Sequence, residues 1–348
     1  EIMPSLVGSE MCIRDRGKYR RIKREGLIMD KVLLIGEPME LLLAEEEGAL
    51  ADISHFRASV SGAEMNVAVG LSRLGICPRF MTRLGDDPRA MRIRSFMKAN
   101  GISDDLIITD PAHHTGAMMK SKSEPGKHEI YYFRQVSAAS FLCEQDVDSL
   151  DLSDIRAVHF TGIFPSISES AARAARHLIK RAKADEITVV FDPNLRCQLW
   201  DSSPETIALL NEFAANSDVF LPSLKEAETL CGLSDPEEIA DHYLSLGTKK
   251  VVVKLGKQGA YYKSHVESGI APTFAADSVV DTAGAGDGFA AGLISGICDE
   301  IPLGEAVFRA NAVGSMQIQN ASDNAGLPTM EELREYMLNH RFVDPQRD

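Results

Sequence analysis

At 348 residues the chain is long enough for two average domains or one large α/β domain with an insertion, and 44% apolar residues allow an extensive core. The net charge of −14 is uneven: residues 1–28 hold seven Lys/Arg against four Asp/Glu, leaving 30 against 47, or −17, for the remainder. Such a body is poorly suited to nucleic acid or an anionic membrane, and no run approaches the roughly 18 apolar residues of a membrane span. Any bound anion must therefore be held by a few local groups. Six cysteines, at 12, 77, 143, 197, 231 and 298, form no CxxC pair and adjoin no His cluster, which predicts reduced thiols in a cytoplasmic setting.

The first 28 residues, "EIMPSLVGSEMCIRDRGKYRRIKREGLI", show no periodic apolar face, and their basic stretch lacks the apolar region of a signal peptide. "SLVGSEMCIRD" resembles translated adapter sequence, so a native start is expected at Met29 with disorder before it; a short native basic tail is the alternative. "KVLLIG" (31–36) reads as a buried strand, and "MELLLAEE" and "ISHFRASV" (53–60) as half-buried ones. "GAEMNVAVGLSRLG" (62–75) predicts a helix with Met65, Val69 and Leu74 near one face and Gly75 as its stop. "GAMMKS" and "HEIYYFRQ" (128–135) read as a second strand pair joined by the turn "SEPGK" (123–127).

From about residue 155 the rhythm changes. "AVHFTG", "ITVVFD", "DVFLP", "KVVVKLG" and "GAYYKS" alternate with helical stretches at 167–183, 204–215 and 235–245. That alternation predicts an α/β fold, a doubly wound, mostly parallel sheet flanked by helices, over 29–345. The early strand pairs, about 39–60 and 115–137, fall outside this rhythm and read as a small β-sheet lid.

The run "VVDTAGAGDGFAAGLISG" (279–296) packs glycines and two aspartates between an apolar run and a helical one. "SVVD" reads as a strand end and "TAGAG" as a turn; "DGFAAGLISGICDE" reads as a helix with Phe289, Leu293, Ile297 and Cys298 on one side. At such a turn the backbone N–H groups of Gly284, Ala285 and Gly286 can converge on an anion, helped by the helix N-terminus. A tight turn packed against the sheet is the alternative. The Walker pattern GxxxxGK[ST] occurs nowhere, and GxGxxG fails because Phe289 stands at its last position. Asp287, in the first turn of the helix, is expected to be held ionised by the dipole and nearby N–H groups. Beside an anion hole it could orient a hydroxyl for attack on a phosphoryl group and take its proton; a helix cap is the compatible, plainer role.

"DTAGAGDGF" resembles the C-terminal motif of the ribokinase-like sugar kinases, and "SGAEMNVAVGLSRLG" their N-terminal motif, in the family's order and over about Met29 to His340. The resemblance implies a doubly wound α/β domain with a β-sheet lid, ATP and Mg2+ as cofactors, and a dimer or higher assembly. It implies Asp287 as the catalytic base with Gly284, Ala285 and Gly286 as its anion hole. It places Lys254, Gly256 and Gly259 of "KLGKQG" on the nucleotide side, and Asn311 with "AGLPT" (325–329) at the adenine. "SLKE" (223–226) resembles an Asn-x-x-Glu run that influences magnesium. Ser223 replaces the Asn there, so Glu226 carries over more securely than Ser223. Asp281 and Ala283 match positions that give backbone oxygens to a monovalent cation such as K+.

Within the family, "YYFRQVSAAS" (131–140), "DPNLRCQLW" (192–200) and "GEPMELLL" are similar to 2-keto-3-deoxygluconate kinases. Tyr132 and Arg134 would then lie on the lid and Arg196 just beyond a strand. Two guanidiniums converging on one pocket suit a carboxylate better than a neutral sugar, unless each is an ordinary ion pair. Gly62, Ala63 and Asn66 would meet the sugar's hydroxyls. The expected activity is ATP-dependent phosphorylation of the terminal hydroxyl of a ketodeoxy sugar acid. The alternatives are a kinase of a neutral sugar such as fructose or ribose, and a non-catalytic sugar- or nucleotide-sensing protein on the same fold.

Overall fold

The computed structural model describes residues 30–122, 128–196 and 203–343. The expectations for residues 1–28, for the turn 123–127 and for the end of "DPNLRCQLW" fall outside them.

β1 (Lys31–Ile35) is an unbroken apolar strand whose side chains alternate between two cores. Val32 and Leu34 belong to one and Leu33 and Ile35 to the other, all fully buried. A strand covered on both faces needs no polar alternation, which is why "KVLLI" reads as a continuous run. β2 (Met39–Glu47) and β3 (Phe56–Ser61) leave this sheet for a smaller one, and the chain returns through α1 (Ala63–Arg73) to β4 (Cys77–Gly85). α2 (Pro88–Ala99) opens with Pro at its first position and the Asp87 carboxylate accepting from the Ala90 N–H, a regular N-cap. β5 (Ile107–Asp110) closes one edge, and β6 (Ala117–Lys122) and β7 (Ile130–Phe133) complete the small sheet.

The second half keeps the strand–helix rhythm. α3 (Glu144–Asp148) leads to β8 (Ile155–Thr161), then α4 (Ile163–Ser166), α5 (Glu169–Ala184) and β9 (Thr188–Asp192) follow. Next come α6 (Pro204–Asn216), β10 (Val219–Phe220), α7 (Leu224–Cys231), α8 (Pro236–Leu246) and β11 (Lys250–Lys254). β12 (Ala260–Ser264), β13 (Ser268–Ala271), α9 (Ala285–Cys298), α10 (Leu303–Gln317) and α11 (Met330–Asn339) end the described chain.

Among the described residues the large sheet has nine strands in the order β13-β12-β11-β10-β9-β8-β1-β4-β5. It is parallel from β11 to β5, with β12 and β13 antiparallel at one edge. The small sheet runs β3-β2-β6-β7, with β2 and β6 parallel and the outer pairs antiparallel. Strand order in the large sheet reverses between β1 and β8, and a crevice is expected there beyond the carboxyl ends of the strands.

Three sequence expectations need correction. "SVVD" is not a strand: Val279 and Val280 are exposed, and the Val280 and Asp281 N–H groups both donate to Ile318 O at the end of α10. "DVFLP" contributes only two residues, Val219 and Phe220, as β10. α9 is not one-sided: every residue from Asp287 to Gly296 is buried, because α1 and α10 pack on either side of it. Small residues permit that approach. A Cβ on Gly292 would lie 2.7 Å from Ala310 Cα, and one on Gly296 2.6 Å from Ala306 Cβ.

Candidate active site

The carboxyl ends of β8, β9 and β11 and the N-terminus of α9 meet at one place. Gly284 is the N-cap of α9, with φ 75°, and the Asp323 carbonyl oxygen lies 2.0 Å from where a Cβ would be. Only glycine fits there. Ala285, Gly286 and Asp287 are the first helical residues, whose N–H groups have no acceptor within the helix. The Ala285 N–H makes only a long 3.3 Å contact to Thr282 O. Gly286 is a different kind of glycine: it has no positive φ, and a Cβ there would meet nothing nearer than Lys254 Nζ at 3.8 Å. The turn therefore pairs a strained cradle at Gly284 with open space in front of Gly286.

Asp287 is 5% exposed. Asn66 Nδ2 donates to its Oδ2 at 2.8 Å and Asn194 Nδ2 to its Oδ1 at 3.3 Å. The expectation of a firmly ionised carboxylate is overturned. Burial pushes its pKa up to about 7, and the Asn66 amide and the Arg196 charge only partly offset this. Helix-end stabilisation, worth at most about 2 kcal/mol, loses to near-complete removal from water.

Beside it stands Lys254, at the end of β11, with Nζ 2.7 Å from Asp192 Oδ2. Burial acts against the ammonium, but Asp192, Glu226 and Asp287 outweigh it and hold Lys254 charged. Glu226 Oε2 accepts from the Ser223 N–H at 2.7 Å and Oε1 from the Leu195 N–H at 2.8 Å, so this carboxylate braces the "DPNL" loop. Burial raises the Glu226 pKa, but Lys254 and these N–H groups bring it below its usual value. Ser223, expected at the nucleotide, is the N-cap of α7: its hydroxyl accepts from the Glu226 N–H in a capping box. Its immediate work is to cap the start of α7.

The nucleotide-side residues divide. Gly256 and Gly259 have φ 60° and 90°, and a Cβ on Gly259 would sit 2.1 Å from Ala271 O. Asn311 Nδ2 donates to the same Ala271 O at 2.9 Å and to Pro272 O at 3.2 Å, so Gly259 and Asn311 share one neighbourhood. "AGLPT" is clasped elsewhere: Arg73 donates to Leu327 O at 2.6 Å and to Ala325 O at 3.2 Å.

On the sugar side, Gly62 has φ 136° and caps α1, with Glu37 O 2.7 Å from where a Cβ would be. Ala63 is buried next to it, and Asn66 is committed to Asp287. Arg134, expected on the lid, is buried against Glu37, to which its Nε donates at 2.8 Å. Its guanidinium lies 5.6 Å from the ring of half-buried Tyr132. Glu37 offsets the Arg134 charge. Arg196 is exposed, and its charge reaches Asp287.

Around the turn lies a second polar group that the sequence did not reveal. Lys120, fully buried on β6, places Nζ 2.8 Å from Asp281 Oδ2 and 2.9 Å from Asp323 Oδ1. His128 Nε2 lies 3.1 Å from Asp281 Oδ1, and Ser61 Oγ donates to Asp323 Oδ2 at 2.6 Å. Asn324 Nδ2 donates to Asn66 Oδ1 at 3.0 Å, joining this cluster to the Asp287 shell. Asp192 and Asn194 stand in the same "DPNLR" run as Arg196, and Asn194 sits at a φ of 41°, outside the usual region for a non-glycine residue.

The sequence profile for "pfkB family carbohydrate kinase" matches residues 29–330. The chain belongs to the pfkB family of carbohydrate kinases. Among its relatives, a 2-dehydro-3-deoxygluconokinase of Bacillus subtilis (strain 168) is 37% identical over 313 residues, 90% of this chain and 97% of its own. The crystal structure of a PfkB protein from Polaromonas sp. JS666 superposes with a TM-score of 0.80 at 38% identity, covering 88% of this chain and 99% of that one. A ribokinase II of E. coli, solved with ATP and Mg2+, superposes at 0.81 and 26% identity over 90% of this chain and 100% of its own. The enzyme is a sugar kinase on the ribokinase-like fold, with the large mostly parallel sheet and smaller second sheet described above.

Proposed function

We propose that this kinase phosphorylates the terminal hydroxyl of a ketodeoxy sugar acid, with 2-keto-3-deoxygluconate (2-dehydro-3-deoxygluconate) as the favoured substrate and ATP as donor. The observation that carries the proposal is Arg196, an exposed guanidinium acting on the buried Asp287, in a chain 37% identical to a 2-dehydro-3-deoxygluconokinase. Asp287 accepts the proton of the attacking hydroxyl, for which a pKa of about 7 is well placed. Asn66 and Asn194 fix the carboxylate's two oxygens, so the base does not rotate away from the hydroxyl. Gly284, Ala285 and Gly286 present backbone N–H groups to charge developing on the transferred phosphoryl, and Lys254 adds a fixed positive charge beside Gly286.

Lys254, Gly256, Gly259 and Asn311 would hold the nucleotide, and Glu226 would act on its Mg2+ indirectly. When bound, ATP with Mg2+ supplies the phosphoryl group and offsets its charge. Among the described residues no group of three or more His, Cys, Asp or Glu could hold a metal, which supports an ion carried mainly by phosphate oxygens. The four cysteines among the described residues are free, which supports a reducing, cytoplasmic setting, and exposed Tyr131, Phe133 and Val136 on or beside β7 support assembly through the small sheet.

The second reading, a neutral-sugar kinase, draws on one observation: Glu37 offsets Arg134 and leaves Arg196 as the less compensated guanidinium. Charge-assisted bonds to a carboxylate are worth about 1.5–3 kcal/mol. Arg196→Ala should therefore raise KM for the sugar acid by roughly one to two decades while KM for ATP moves little. An ADP-release assay of both proteins on 2-keto-3-deoxygluconate and on fructose tests this. Wild type preferring fructose, or an equal penalty on both sugars, would leave the neutral-sugar reading standing.

A further inference from the structure

The resemblance to ribokinase-like enzymes implies a monovalent cation beside the glycine turn, held by backbone oxygens of Asp281 and Ala283. The residues present do not fit one. The Asp281 carboxylate already faces the Lys120 ammonium at 2.8 Å and His128 at 3.1 Å, and its Oδ1 accepts from the Ala283 N–H at 3.0 Å. The Ala283 carbonyl oxygen accepts from Gln317 Nε2 at 3.2 Å. A fixed ammonium paired with the same aspartate repels a second cation in a buried setting.

We propose that Lys120 is a built-in cation: its ammonium does the positioning work of a bound monovalent ion, and the kinase runs without one. The geometry has three parts. Lys120 bridges Asp281 and Asp323, the residues flanking the Gly284 cradle on its two sides: Asp281 enters the turn, and the Asp323 carbonyl packs where a Gly284 Cβ would be. The ammonium thus fixes the loop from which the Ala285 and Gly286 N–H groups project. Lys120 is 2% exposed, deep enough to exclude exchange with bulk ions. It comes from β6, whose neighbours β2 and β7 belong to the small sheet, so the same contact anchors that sheet to the anion-binding turn. A single charge then ties lid placement to turn geometry, which a free ion cannot do. Lys120 touches neither sugar nor nucleotide in this account; it is a positioning residue that acts through Asp281 and Asp323.

The inference rests on the phosphotransfer reading but not on the identity of the sugar. The test uses the full chain in KCl and in tetramethylammonium chloride at equal ionic strength, reading melting temperature, binding of a non-hydrolysable ATP analogue with Mg2+, and turnover. For wild type, all three are expected to be the same in both salts, turnover within about twofold. Lys120→Ala opens space for an ion. In tetramethylammonium its turnover is expected to fall about 10- to 100-fold, as for other residues that orient a charged site from behind. K+ or NH4+ should restore most of that loss and raise the variant's melting temperature, an effect absent in wild type. A wild type that needs K+ for turnover, analogue binding or stability overturns the proposal, as does a Lys120→Ala variant indifferent to K+. Should Lys120→Ala fail to fold, the wild-type salt series decides alone. Melting and analogue binding do not depend on turnover, so failure to phosphorylate any sugar would count against the kinase reading and not against the built-in cation.

Discussion

Two aspartates six positions apart, at either end of the same glycine turn, behave oppositely. Asp281 sits at the small-sheet end, where burial would raise its pKa but Lys120, the Ala283 N–H and His128 bring it below the ordinary carboxylate value. Asp287 sits at the helix end, buried against amide donors, and burial dominates to raise its pKa to about 7. The difference lies in the partner. An ammonium at hydrogen-bond distance locks a carboxylate in its charged form, whereas neutral amides orient it and leave it free to exchange a proton. On the proposed mechanism the turn must both stay in place and do acid–base chemistry, and it holds one carboxylate of each kind.

The largest expected effect comes from removing the exchangeable proton site. Asp287→Asn preserves shape and should lower kcat by about 10²- to 10⁴-fold while analogue binding persists. A variant with near wild-type kcat would end the contrast, because Asp287 would then be as structural as Asp281. The same substitution should also change stability in a defined direction. The folded pKa of Asp287 lies above its unfolded value of 3.8, so its contribution favours folding at low pH and is lost as pH rises from about 4 to about 7. Asp287→Asn should thus melt at least as high as wild type at pH 8, with the advantage fading toward pH 5.

The two glycines sharpen the comparison next. Gly284→Ala meets both a positive φ and the Asp323 carbonyl, and should cost more than about 2 kcal/mol with a fall of several degrees in Tm. Gly286→Val, with neither obstacle, should keep most of the Tm yet lose turnover, because its side chain fills the space before Lys254. Equal Tm losses for the two variants would show that the turn acts only as a structural unit. Asn66→Ala is the mildest test. It removes the 2.8 Å donor to Asp287, and at about 1.36 kcal/mol per pH unit the midpoint of the acid limb of kcat should rise by roughly one unit.

What the sequence revealed follows the same division. The glycine turn, Asp287 and the helix behind it are local, and three glycines between an apolar run and a helical run announce them within twenty residues. β1, β8, β9 and β11 were legible because strands buried on both faces are continuous apolar runs. The partners of the turn were not legible. Lys120 is separated by 161 residues from Asp281 and by 203 from Asp323, and nothing in "GAMMKS" marks a lysine that will be buried. Arg134 shows the same limit: its run pointed to a guanidinium on the lid, and Glu37, which pairs with it, lies 97 residues away. Irregular backbone such as "SVVD" misleads for a related reason, since exposed valines in a loop leave the same local trace as a strand.

If Asp287 is the proposed buried base poised near neutrality, its titration governs the pH dependence of kcat. At saturating sugar acid and ATP, wild-type kcat should rise from pH 5 along a single limb with a midpoint near 7 and then level off. The residual activity of Asp287→Asn should lack that limb. A wild-type profile flat from about pH 5 to 9, or a limb unchanged in the Asn variant, would contradict the account.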